Sequence, residues 1–124
     1  MNVRNFKLGE ELPSELQTGF EKGMCDPSWI WVVERDGRIV ALLIAAPAHI
    51  VVILLRLCST EYAHPLDVRA LLLTVVAAIK ERGYYGYMVW ADPTRPPEKA
   101  LIEIVKAAGG FELPNAQVAC AGRV

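Results

Sequence analysis

The chain has no surplus of either charge. Lys and Arg number 13 against 14 Asp and Glu, a net charge of −1. That leaves no basic footprint for nucleic acid and no polybasic signal for an anionic membrane. Cysteine is scarce: Cys25, Cys58 and Cys120 lie far apart, and no C-x-x-C pair occurs. Neither a zinc or other metal site nor a disulfide framework is expected, and a reducing compartment is the simpler expectation. The opening MNVRNFKLGEEL lacks the apolar core of a signal peptide. No apolar run reaches the roughly 20 residues of a spanning helix. The longest uncharged run, 39–55, is interrupted by Pro47 and His49 and follows the turn signal Asp36-Gly37. No repeat, low-complexity tract or linker divides the sequence. A single domain over 1–124 is therefore expected, with no membrane and no nucleic-acid partner.

What is present is apolar: 53% of residues, enough for a packed core and against disorder. The stretch Ile50 to Gly83 organises the rest. It begins as a continuous apolar run, crosses a short polar turn and becomes an amphipathic helix.

Taken in order, Asn2 to Lys7 reads as a short strand. Leu8 to Lys22 reads as a short helix broken at Gly23, and Cys25 to Ser28 as a turn. Trp29 to Arg35 is β-branched and aromatic, a strand that ends at Asp36-Gly37. Arg38 to Ala46 returns antiparallel, and Pro47 is expected to end it for want of a ladder donor. Ile50 to Leu57 is apolar at nearly every position, so both its faces should be covered, with helices on both sides of the meander. Val68, Leu71, Leu72, Val75 and Ile79 recur at helical spacing, and Gly83 is placed for a left-handed C-terminal cap. Tyr84 to Ala91 is a fourth strand. Pro96-Pro97 opens a last helix with Ala100, Leu101, Ile104, Val105 and Ala108 as its stripe, and Gly109-Gly110 stops it. Gln117 to Val124 closes the chain as a strand. A helix joining the third strand to the fourth makes that pair parallel if adjacent.

The turn Ser59 to Leu66 sits where strand–turn–helix proteins place a ligand. His64 has the pKa range of a general base, although a plain turn residue before proline explains it as well. Cys58 could be a nucleophile or a small buried hydrophobe. Glu61 and Asp67 could act as acid and base or simply favour the helix dipole. Arg56, alone in an apolar strand, reaches either a carboxylate, an edge or an anion. Trp29, Trp31, Tyr84, Tyr85, Tyr87 and Trp90 are expected to pack in the core and across strands, an outward subset marking an interface.

The order β-α-β-β-β-α-β-α-β resembles the GNAT acyltransferase superfamily over nearly the whole chain. WIWVVERDGRIVALLIA looks like that family's second and third strands. Glu61-Tyr62 with Ala70-Leu71-Leu72 falls in the register of its acyl-CoA loop and following helix. Glu81-Arg82-Gly83-Tyr84 looks like its helix exit, and Gly110-Phe111-Glu112 like the G-F-E after its last helix. The resemblance implies an α/β fold, with a mixed, mostly antiparallel sheet flanked by helices. It places cofactor contact at Tyr62, Ala63, His64, Leu66, Asp67 and Val68 and catalysis at Glu61 or His64. The family's loop pattern R/Q-x-x-G-x-G/A falls here on Ala63, Leu66 and Val68, so the motif is degraded. Its tyrosine acid falls on Lys106 or Val105. The resemblance therefore implies a non-catalytic interaction or structural module without a cofactor, bound to a protein partner or to itself. Degenerate domains of this kind occur in phage structural and accessory proteins, which implies cytoplasm or virion. The alternative is a divergent N-acetyltransferase that moves an acetyl group from acetyl-CoA to an amine, with the main-chain donors of Tyr62 to Asp67 holding the cofactor.

Overall fold

The computed structural model describes residues 1–18, 25–112 and 119–123. Among these residues seven strands form one sheet: β1 (Asn2–Asn5), β2 (Ile30–Arg35), β3 (Arg38–Ala48), β4 (Val51–Ser59), β5 (Gly86–Trp90), β6 (Phe111–Glu112) and β7 (Ala119–Arg123). Two helices, α1 (Pro65–Glu81) and α2 (Pro96–Ala107), follow β4 and β5. The spatial order is β1-β2-β3-β4-β5-β7-β6. Every pair is antiparallel except β4–β5, which α1 joins as a parallel crossover. This is the mixed, mostly antiparallel α/β sheet that the sequence implies.

The β2–β3 hairpin turns on Asp36 and Gly37, both at positive φ (53° and 76°), as a two-residue turn with primed geometry requires. β3 runs past the expected stop at Pro47, which pairs with Val52. β2 leaves β3 at the Ile30–Ile44 pair, so beyond it β3 is locally an edge, where a missing N–H costs little. His49, at φ 62°, then turns the chain into β4.

α1 starts at His64 and ends in a Schellman motif. Tyr84 N–H donates to Ile79 O at 3.1 Å and Gly83 N–H to Lys80 O at 3.1 Å, with Gly83 at φ 87°. Its expected stripe is the buried one: Leu71, Val75 and Ile79 are fully enclosed. Each such side chain contributes roughly 1.5–3 kcal/mol by leaving water. In α2 the stripe is turned by one position. Glu98, Leu101, Ile102 and Val105 are buried, while Ala100 and Ala108 are exposed. A carboxylate occupies one core-facing position, and apolar periodicity cannot count it.

Both helices pack into one core, with Trp31, Leu43, Leu54 and Val89. On the opposite face Phe6, Leu12 and Leu16 cover Ile30, Val32, Leu42 and Ile44. Among the described residues that cover is an extended segment with one 3-10 turn, Ser14–Leu16, rather than the helix expected over Leu8 to Lys22. Part of that expected helix, 19–22, and the break at Gly23 lie outside the described residues. So do Gln117, Val118 and Val124 of the expected last strand. β6 has no signal of its own in the sequence, because two residues carry no periodicity.

Candidate functional site

The site begins with an irregularity in β4. Ile44 pairs with Arg56 but Ala45 pairs with Leu54, so Leu55 is an extra residue, a β-bulge. The bulge bends β4, and pairing with β5 stops at Leu54–Val89 while β4 continues to Ser59. β5 turns instead at Asp92 into α2. The diverging elements enclose a cleft of about 740 Å³ between the Ser59–His64 loop with the first turn of α1 on one side and the α2 face of Pro97, Ala100, Glu103 and Ile104 on the other. Ala63, Pro65, Val68, Pro97 and Ile104 give it an apolar lining, and Glu61, His64 and Glu103 are its titratable groups.

At the point where the strands part, α2 reaches back across the gap. Glu98, only 2% exposed, accepts from Asp92 N–H at 2.8 Å and from Arg56 Nη1 at 3.4 Å. Arg95 Nη1 lies 3.3 Å from the same carboxylate, and Arg95 Nη2 donates to Cys58 Sγ at 3.3 Å. Arg56 therefore meets a partner carboxylate. Cys58 is buried and in contact with a guanidinium. The Asp92 carboxyl is held below its ordinary range by the Thr94 hydroxyl and the Thr94 N–H, which donate to it at 2.6 and 2.9 Å.

The loop is closed on itself. Tyr62 N–H donates to Thr60 Oγ1 (3.2 Å) and Ala63 N–H to Thr60 O (3.1 Å). His64 N–H donates to Asp67 Oδ2 (2.8 Å), Leu66 N–H to His64 Nδ1 (3.1 Å) and Asp67 N–H to His64 O (2.8 Å). Pro65 has no N–H. His64 and Asp67 thus form a reciprocal capping box at the start of α1. Asp67 is fully buried and accepts from Arg35 Nε at 2.9 Å and Nη2 at 2.6 Å. Arg35 beside it, then the His64 N–H, hold the Asp67 carboxyl below its usual range against the opposing effect of burial.

These contacts sort the candidate residues. Glu61, Ala63, His64 and Val68 line the cleft together. Tyr62 and Leu66 are exposed and do not fill it; Tyr62 lies under the Arg38 guanidinium, 4.7 Å from its ring centroid. Asp67 points inward to Arg35 and does not line the cleft. His64 has its Nδ1 lone pair engaged by the Leu66 N–H. In the neutral ring Nε2 then carries the proton and is a donor, so His64 has no free basic nitrogen while it caps. Sequence reasoning missed Arg35 and the Glu98–Arg95 pair. Glu98 had a signal, as a carboxylate in the first turn of a Pro-Pro helix; Arg35 had none.

The aromatic residues divide as well. Trp31 and Tyr87 are buried. Trp29 packs edge-on to both Trp31 and Tyr84, with Arg82 stacked over the two indoles. Tyr85 and Trp90 are exposed, so core packing holds for only part of the set. No group of three or more metal-ligating side chains occurs among the described residues, and no helix there is long and apolar enough to cross a membrane.

The fold is that of the GNAT acetyltransferases. An acetyltransferase of the GNAT family from Staphylococcus aureus Mu50 matches with a TM-score of 0.62 at 12% identity, over 76% of this chain and 66% of that one. Ard1 from Thermoplasma volcanium matches with a TM-score of 0.65 at 14% identity, over 97% and 93%. PaiA N-acetyltransferase from Thermoplasma acidophilum, solved in complex with coenzyme A, matches at 0.64 and 14% identity. That match covers 77% of this chain, which spans 60% of that protein's length. No protein-family model matches the sequence, and no curated protein sequence does.

Proposed function

We propose that this chain is a GNAT-fold module that works by protein contact and does not hold acyl-CoA in its loop. One observation carries the reading: every main-chain N–H from Tyr62 to Asp67 already donates inside the protein. A diphosphate at a helix N-terminus depends on such donors being open. Here it would have to displace a capping box and find room beside Leu66. Exposed Leu66 and Leu73, seven residues apart on the outer face of α1, add apolar surface for a partner.

A second reading is favoured by the open cleft, which Tyr62 and Leu66 leave unfilled: a divergent N-acetyltransferase that takes acetyl-CoA and an amine. Glu61 is then the better base, since His64 is engaged as a cap. Thermal unfolding with millimolar acetyl-CoA, CoA and ADP separates the two. The module reading expects an unchanged midpoint with all three. A cofactor present at about 100 times its Kd would stabilise the fold by roughly 2.7 kcal/mol, and a rise of that size would overturn the module reading.

A further inference from the structure

We infer that the cleft between the Ser59–His64 loop, the first turn of α1 and α2 receives a segment of a partner protein that carries aliphatic side chains and a lysine or arginine. The inference rests on the module reading above and names the chemistry of its partner. Its ground is charge. The full charges on the cleft lining are Glu61 and Glu103, and neither Lys nor Arg lines it. Neither carboxylate has an ion-pair partner among the described residues, whereas Glu34, Asp67 and Glu98 are all paired. The two lie on opposite walls, one on the loop and one on α2, with an apolar floor between them.

A polyanion entering this cleft would meet two carboxylates and no cation. A cationic side chain would meet two acceptors, and its aliphatic neighbours would rest on Ala63, Pro65, Val68 and Ile104. Complementary charge at such a site sets partner choice and association rate as much as affinity.

The test uses the whole chain and a positional-scanning library of N-acetylated, C-amidated hexapeptides, read by fluorescence polarisation. The expected result is selection for lysine or arginine flanked by aliphatic residues, with binding that weakens as salt rises. Two variants localise it. The double change Glu61→Gln, Glu103→Gln should lower affinity tenfold or more, and Ala100→Trp, which fills the cleft from the exposed side of α2, should abolish it. Unfolding midpoints close to the parent's show that both variants are folded. Selection for acidic or uncharged peptides, no selection at all, or binding that survives both variants would overturn the inference. Acetyl-CoA in the same unfolding assay keeps the two failures apart. A rise with acetyl-CoA defeats the module reading itself, while no rise and no peptide selection defeats only the partner assigned here.

Discussion

Replacing Asp67 by alanine should remove about 3 kcal/mol of stability. The side chain is fully buried and accepts three hydrogen bonds, two from Arg35 and one from the His64 N–H. Losing the cap alone costs about 1 kcal/mol. Breaking a buried ion pair costs more, but less here than for a fully enclosed pair, because the Arg35 side chain is 35% exposed and regains water. For a domain of this size the total lowers the midpoint by about 12 °C. Urea unfolding at neutral pH, followed by tryptophan fluorescence, measures it as a lower midpoint concentration with an unchanged slope. Asp67→Asn keeps an oxygen for the His64 N–H and should lose about half as much. Acid adds a second check. The folded carboxyl titrates below its unfolded value of about 3.9, so its stabilisation is complete above that value and lost as pH falls through the folded one. The gap between parent and Asp67→Ala should stay constant from neutral to about pH 5 and narrow below about pH 4. A loss under about 1 kcal/mol, or a gap unchanged in acid, would refute the view that this carboxylate closes the loop.

Two further changes probe other parts of the site's frame. Glu98→Ala removes the buried acceptor of Asp92 N–H and Arg56 and should cost about 2–3 kcal/mol in urea unfolding, with a loss below 1 showing that α2 docks through Leu101, Ile102 and Val105 alone. His49→Gly relieves a left-handed residue at the β3–β4 turn; offset by glycine's larger unfolded entropy, it should raise stability by about 0.5 kcal/mol, and a clear loss would mean that the imidazole itself holds the turn.

Much of the frame was legible because it obeys one period or one local rule at a time. The α1 stripe follows a 3.6-residue spacing, Gly83 is the residue a Schellman motif needs, and Asp36-Gly37 is a hairpin turn in two residues. The failures share a different cause. Pro47 stops a strand only where a neighbour needs its N–H, and the end of β2 at Ile30 decides that from a distance. The bulge at Leu55, which opens the cleft, has no marker in an unbroken apolar run. Glu98 faces inward because Arg56 and Arg95 meet it, a contact that spans 42 residues of sequence in one case. Within the candidate site, position was readable and state was not. The turn Ser59 to Leu66 borders a cleft, but whether its donors are open depends on Arg35 turning Asp67 inward from another strand.

The two helices beside the cleft begin in the same way. Each opens with proline, and each buries a carboxylate from its first turn, Asp67 in α1 and Glu98 in α2. Each carboxylate takes one main-chain N–H near its helix start and is matched by arginine. A helix N-terminus is a partial positive charge with unpaired donors, and that is what ordinarily draws an anionic ligand. At both mouths of this cleft the chain supplies the anion itself and an arginine neutralises it. An external phosphate would compete with internal carboxylates that are already desolvated and held in place. The cleft is left with an apolar floor and two glutamates without an ion pair among the described residues, a surface whose complement is cationic and aliphatic. The bulge and the parting of β4 from β5 make the opening. The two internal carboxylates, more than the bulk of Leu66, decide what the opening accepts.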